Sequence, residues 1–302
     1  MRPSEYELYR AIVEAGSLSV AARNLHISNA MVSKRLADLE RRLGTQLILR
    51  TTHQFSLTPE GRAFYEDVKL ILSAIYQAEE KVSGVENIPA GRLRVSAPTS
   101  FGRLHVAPYL LGFMEAYPQI ELDFDLSDDF IDIRHEGIDI AIRITSEVTA
   151  GLDSVRLGDS HRILCAAPSY IKKNGRPESI EELNEHHLLA ATGQMPWRMV
   201  GPKGVILVSG QSRVRTNSSE IVRELTIVGS GIALRSLWDI TNELKMGHLV
   251  RVLPDYKGSS NVGVFAVWPK AEIIPAAIKV FTAYLETVLK TSLNHDTQTN
   301  IS

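Results

Sequence analysis

Between Ser17 and His53 the chain gathers hydroxyl, amide and cationic side chains of the kind that meet a polyanion: Ser17, Ser19, Ser28, Asn29, Ser33, Lys34, Arg35, Arg50, Thr51, Thr52 and His53. Among them sit Ala30, whose small side chain leaves room for close approach, and Met31. From Arg23 to Arg50 the bases Arg23, Lys34, Arg35, Arg41, Arg42 and Arg50 face only Asp38 and Glu40 as acids. Cations and hydroxyls so placed can position a nucleic-acid backbone and read base edges. A second constellation lies farther on. Thr99, Ser100 and Phe101 follow a strand pattern, and Asn217, Ser218 and Ser219 stand at the start of a helix pattern. Hydroxyls beside the free N–H groups of a helix start suit a carboxylate or another anion, although the same residues serve equally as caps. Arg143 ends an apolar strand and can neutralise an acid, or pair with Asp139 or Asp123. Trp197 reads as an aromatic wall or as ordinary packing.

Other chemistries find no support. The only cysteine, Cys165, excludes an intramolecular disulfide and a cysteine-built zinc site, and reads as a small buried hydrophobe. His186 and His187 are adjacent, so they do not share a helix face, and no ligand cluster follows; no metal and no cofactor is expected. There is no phosphate-binding Gly-rich loop with Lys, no nucleophile elbow and no zinc-protease His pair, so catalysis has no positive sign. The formal net charge of −2 rules out a uniformly basic binder, while a basic end joined to a body rich in acids, such as Asp123, Asp125, Asp128, Asp129 and Asp132, suggests two different partners. The N-terminus lacks the apolar core of a signal peptide, and no apolar run suffices for a bilayer, so a cytoplasmic protein without a membrane partner is expected.

These side chains need elements to hold them. Ser17 can cap a short helix carrying the small pair Ala21-Ala22, Leu25 and Ile27 bury a turn, and Ser28 caps the next helix. On that helix Val32, Leu36, Leu39 and Leu43 share one face, leaving Ala30, Lys34 and Ala37 opposite, with Ser33 on the flank. Small and polar residues there let a helix enter a major groove. Gly44 stops the helix, and Gln46 to Leu57 can form a two-stranded wing. A solvated helical hairpin is the plainer alternative for any one of these signals. Thr58 then caps a helix running to about Asn87, with Phe64, Val68, Ile71, Ile75, Ala78 and Val82 spaced as a coiled-coil seam that can pair with a second chain. After Ile88-Pro89-Ala90-Gly91, strand and helix patterns alternate: strands at Arg92–Ala97, Ile120–Leu126, Ile138–Ile144, Arg162–Ala167, Val205–Val208, Val214–Thr216, Ile232–Leu234 and Val262–Val267, helices at Ser218–Val228 and Pro275–Leu289. Residues from Thr291 onward are polar and expected to fray. Such alternation argues for an α/β sheet with ligands at strand C-terminal ends.

The run Ala21-Ala22, Leu25, Ile27-Ser28, Val32-Ser33, Leu39-Glu40, Leu43-Gly44, Leu47, Arg50-Thr51-Thr52, Leu57-Thr58 and Gly61 closely resembles the LysR-type transcriptional regulators. Gly137-Ile138-Asp139-Ile140-Ala141-Ile142-Arg143, Leu164–Pro168 and Gly229–Ala233 resemble the same family's effector domain. The phrases Val32–Glu40, Val95–Pro98 and Leu249–Pro254 look most like its CrgA-like subgroup. Asn29-Ala30 stands where the family often has Gln-Pro, Ile48 where Phe is usual, and His53 where Arg or Lys is common. The resemblance implies an α/β protein with a winged helix-turn-helix over 1–58, a linker and dimerisation helix over 59–89, and an effector domain over 90–302 of periplasmic-binding-protein type. Its first subdomain would comprise about 90–160 and 267–290 and its second about 161–266, with crossings near Asp159 and Val267. It further implies promoter DNA, a small-molecule effector, RNA polymerase and self-association into dimers or tetramers as partners. A solute-binding protein with a repurposed head and an enzyme on the α/β body are the competing readings.

Overall fold

The computed structural model describes residues 4–51, 54–83, 89–129, 132–133, 136–259, 261–271 and 274–298. Thr52 and His53 of the wing, and the segment 84–88 at the end of the expected linker helix, lie outside them. The chain divides into two compact units, one reaching Arg92 and taking in Ala271–Lys279, the other running from Leu93 to Lys270 and resuming at Val280.

In the first unit, α1 (Glu5–Ala15) starts at a reciprocal box in which Ser4 Oγ accepts from the Glu7 amide and the Glu7 carboxylate accepts from the Ser4 amide. Helices α2 (Leu18–Asn24) and α3 (Asn29–Leu43) follow. Ser28 caps α3 by accepting from the Met31 amide at 3.2 Å, whereas Ser17, at the start of α2, makes no capping bond with its side chain. The turn between α2 and α3 holds His26 in the left-handed region, at φ 54°. Leu8, Tyr9, Ile12, Ala21, Ala22, Val32, Leu36 and Leu39 form the core, while Leu43 stands at its rim with 37% exposure. Strands β1 (Ile48–Thr51) and β2 (Gln54–Leu57) pair antiparallel as the wing.

Helix α4 (Pro59–Ser83) is capped by Thr58, whose Oγ accepts from the Gly61 amide at 2.9 Å. The expected seam divides by depth. Phe64 and Val68, together with Leu72, pack into the core of the head, whereas Ile71 and Ile75 remain 37% and 40% exposed. The physical reason is that the first turns of α4 lie on α1: Phe64 tilts against Tyr9 with ring centroids 5.3 Å apart.

The second unit contains two sheets among the described residues. One has the order β4-β3-β5-β13-β6, built from β3 (Gly91–Ala97), β4 (Ile120–Leu126), β5 (Ile140–Thr145), β6 (Leu152–Asp159) and β13 (Gly263–Pro269). The other has the order β10-β9-β12-β7-β11-β8, built from β7 (Arg162–Ala166), β8 (Leu188–Leu189), β9 (Trp197–Gly201), β10 (Gly204–Val208), β11 (Ile232–Ser236) and β12 (Val250–Gly258). Around the first lie α5 (Thr99–Phe101), which continues through a π turn (Gly102–Val106) into α6 (Ala107–Ala116), and α10 (Ala276–Gln298). Around the second lie α7 (Pro168–Asn174), α8 (Ser219–Ile227) and α9 (Leu237–Lys245).

The chain passes between the sheets from Asp159 to Arg162 and comes back from Gly258 to Gly263, earlier than the Val267 expected from sequence, since Val267 is already inside β13. Both faces of β7 are buried, with Leu164 and Ala166 in one core and Ile163 and Cys165 in another. The segment Val214–Thr216 is not a strand; Thr216 instead accepts at its carbonyl from the Thr192 amide, tying two loops together. Helix α10 continues past Thr291 to Gln298.

Candidate functional site

The outer face of α3 is open. Ser19, Ser28, Asn29, Ala30, Met31 and Lys34 are exposed, while Ser17, Ser33 and Arg35 are half-buried. Asn29 Nδ2 donates to Ser19 Oγ at 3.0 Å, joining the ends of α2 and α3 into one polar ridge. Not every base is available to a polyanion. Arg41 pairs with Asp38 at 2.7 Å and Arg42 with Glu5 at 2.8 Å. Lys34 and Arg23, by contrast, are exposed and make no ion pair among the described residues. Arg23 is not among the contact residues that sequence singles out; its place in the last turn of α2 sets it beside the ridge. The acid Glu40 serves the wing: its carboxylate accepts from the amides of Leu47 at 2.9 Å and Ile48 at 3.2 Å. Arg50 and Thr51 stand in β1.

In the second unit a cavity of about 720 Å³ opens between the two sheets. Its wall includes Pro98, Ser100 and Asp128 from one subdomain and Gln194, Ser219, Arg235, Ser236 and Trp238 from the other, with Arg143 and Arg162 inside. The acids Asp129, Asp132 and Glu147 on its wall are exposed, whereas the two arginines are half-buried. Burial pulls the Arg143 guanidinium below its ordinary pKa, and burial together with the neighbouring Arg235 charge does the same for Arg162. Arg235 itself is satisfied, since it is bound to Asp239 through a buried ion pair and donates to the Ser219 carbonyl at 2.9 Å. The Arg162 side chain makes no hydrogen bond or ion pair among the described residues. Ser100 is 3% exposed, and its Oγ lacks a hydrogen-bond partner among the described residues. An unpaired, partly desolvated cation and an unsatisfied hydroxyl on one cavity wall are groups that can bind the oxygens of an anion.

The structure brings Ser100 and Arg143 to this cavity but not every residue singled out by sequence. Trp197 is 3% exposed, because β9 turns it into the core of the second subdomain rather than outward. Phe101 is fully buried and stacks on His105 at 5.1 Å, one helical turn along, and against Trp238 at 5.1 Å, so it supports the cavity from behind. Thr99 meets Asp128 through its backbone amide, Asn217 is exposed, and Ser218 caps α8. Asp123 and Asp139, the alternative partners for Arg143, are engaged by Arg94, whose Nε lies 3.1 Å from Asp123 and whose amide lies 2.9 Å from Asp139. Sequence reasoning misses Arg162, Asp128 and Trp238 because no local pattern separates a strand-end arginine or a loop aspartate from its solvated equivalents, whereas Ser219 belongs to the Asn217-Ser218-Ser219 segment that sequence does single out.

A head of this geometry joined to a two-subdomain cleft defines a DNA-binding transcriptional regulator with a ligand-binding domain. Residues 4–62 match the family model described as bacterial regulatory helix-turn-helix protein, lysR family, and residues 86–290 match LysR substrate binding domain. The chain therefore belongs to the LysR family of transcriptional regulators. It is 34% identical to the HTH-type transcriptional regulator DmlR of Escherichia coli K12, over 93% of this chain and 92% of that protein. To the regulator CrgA of Neisseria meningitidis it is 32% identical, over 93% and 95% of the two chains. Among solved structures, full-length CrgA aligns with a TM-score of 0.57 at 30% identity, over 98% of this chain and 99% of that one. Full-length AphB, the Vibrio cholerae virulence activator, aligns with a TM-score of 0.59 at 26% identity, over 93% and 97%. These relatives are regulators rather than enzymes.

Proposed function

We propose that this regulator binds promoter DNA through α3 and the wing and takes a small anionic effector into the cleft around Arg162. The observation that carries the effector reading is the Arg162 guanidinium, half-buried and without an ion pair among the described residues. Ser100 Oγ and Arg143 complete the receptor, the hydroxyl as a donor and the second guanidinium as a second positive charge. On the head, Ser17, Ser19, Ser28, Asn29, Ala30, Met31, Ser33, Lys34, Arg35, Arg50 and Thr51 are the contact set, extended by Arg23. The exposed pair Ile71 and Ile75 on α4 is the apolar surface on which two chains meet in a dimer. An effector that prefers one arrangement of the cleft then alters how paired heads engage DNA and polymerase, by no more than its difference in affinity for the two arrangements.

A thermal-shift screen of small mono- and dicarboxylates against the wild-type protein and Arg162→Ala tests the reading. A carboxylate that stabilises the wild type should lose roughly ten-fold or more in affinity with Arg162→Ala, as expected for a charge-assisted hydrogen bond. Equal affinity in the two proteins would remove Arg162 from the site.

A further inference from the structure

Helices α5 and α8 begin at the cavity, one in each subdomain, and each starts with an amide that has no acceptor within its own helix. Both of those amides are held by one side chain. Asp128 Oδ1 accepts from the Thr99 amide at 2.8 Å, and Asp128 Oδ2 accepts from the Ser219 amide at 2.7 Å. Asp128 belongs to the loop after β4, so its bond to Thr99 stays within the first subdomain while its bond to Ser219 crosses to the second. The adjacent Arg103–Glu220 pair, 2.6 Å apart, also crosses, with Arg103 exposed and Glu220 half-buried, so solvent weakens it. The carboxylate thus occupies the place where helix starts favour an anion. Two groups on the wall of the same cavity remain unused, the Ser100 hydroxyl, 3% exposed and unpartnered among the described residues, and the Arg162 guanidinium.

We propose that Asp128 is a built-in latch: an internal carboxylate that ties the starts of α5 and α8 together across the cleft and that an anionic effector must displace. This rests on the effector reading of the cleft, since displacement requires an incoming anion, whereas the tie itself does not. The latch sets ligand chemistry as well. An effector gains entry only if its own oxygens satisfy the Thr99 and Ser219 amides while also using Ser100 and Arg162, so a compact oxyanion or carboxylate qualifies and a neutral apolar molecule does not. The displaced Asp128 side chain swings toward the solvent side of the wall, where Asp129 and Asp132 are already exposed.

Residue-resolved hydrogen exchange on the full-length protein tests this, with inorganic sulfate at constant ionic strength as the probe. In Asp128→Ala the Thr99 and Ser219 amides should exchange about ten-fold faster than in the wild type, with Asp128→Asn intermediate and the core amides of β7 unchanged as the control for folding. Sulfate should slow these two amides in Asp128→Ala at concentrations that leave the wild type unaffected, and Arg162→Ala in the same background should abolish that protection. Unchanged exchange of Thr99 and Ser219 in a folded Asp128→Ala protein would overturn the latch, as would equal sulfate protection in wild type and variant. Faster exchange without sulfate protection in either protein would keep the tie across the cleft and overturn the anionic-effector reading instead.

Discussion

At the scale of single residues, burial decides which reactive groups are inert. Cys165 is fully buried in β7, with its Sγ 3.7 Å from the Ala233 carbonyl, and desolvation pushes its thiol from an ordinary 9.0 up to about 12. A thiol in that state should resist iodoacetamide in the native protein at pH 8 and react only after unfolding; rapid native alkylation, read by mass spectrometry, would contradict the placement. The linkage runs in one direction. Because the folded pKa is raised, this residue's contribution to stability is complete below about pH 9 and is lost as the pH climbs toward 12. Cys165→Ala should therefore show a shallower loss of urea stability across that alkaline window than the wild type. Tyr9 adds to the same trend, since burial, and then the Glu40 charge, push its phenol up as well. Its Oη donates to the Gly61 carbonyl at 2.9 Å, a bond that a phenolate could not donate.

At the scale of elements, the junction between head and linker helix depends on a glycine. A Cβ at Gly61 would lie 2.0 Å from the Leu47 carbonyl oxygen, and backbone cannot move aside as a flexible side chain can. Gly61→Ala should destabilise the head by about 3 kcal/mol, the upper end of overpacking costs, visible as a lower urea midpoint. An unchanged midpoint would mean that α4 can shift along α1 at little cost. The same junction explains why α4 has two apolar surfaces rather than one seam. Its first turns are used by the head through Phe64, Val68 and Leu72, which leaves Ile71 and Ile75 exposed and free for the proposed dimer contact. Replacing both with glutamate should convert a dimer to a monomer in analytical ultracentrifugation without loss of helicity, because neither side chain contributes to the head's core. Retention of the dimer would place the interface elsewhere.

For the whole molecule, charge is arranged by function rather than by sum. The formal net charge is −2, yet the ridge of α2 and α3 presents Lys34 and Arg23 without ion pairs among the described residues. DNA affinity measured by fluorescence anisotropy should fall steeply with salt. Replacing Lys34 and Arg50 with alanine should reduce the slope of log K against log salt by about one unit for each phosphate that is no longer neutralised. A folded double variant with the wild-type slope would show that these cations do not touch phosphate. In the cleft, conversely, exposed acids and half-buried arginines line one cavity, so the proposed anionic effector would have to reach the arginines past carboxylates that repel it.

Most of the order of elements, the Ser28 and Thr58 caps, the glycine stop after α3 and the family were legible in the sequence because each rests on neighbours within a turn or two. Ser28, Gly44 and Thr58 occupy places where the backbone itself leaves donors unsatisfied or turns left-handed, at φ 67° for Gly44, and few residue types serve there. The β/α alternation likewise follows from local periodicity, although Leu152–Asp159, Trp197–Gly201 and Val250–Gly258 carry too much polar or mixed pattern to stand out as strands. The tertiary structure alone decided which side chains share the cleft. Trp197, open in one dimension as wall or packing, lies in a core, and Phe101 is buried against Trp238, while Asp128 meets an amide 91 positions away in Ser219, a pairing that no local spacing encodes. Arg162 stands out only because the fold half-buries it near the Arg235 charge and supplies no acid to neutralise it among the described residues. Local chemistry is written in short-range spacing; the presence or absence of a partner for a buried charge is set by groups distant in sequence, and in this protein those groups define the site.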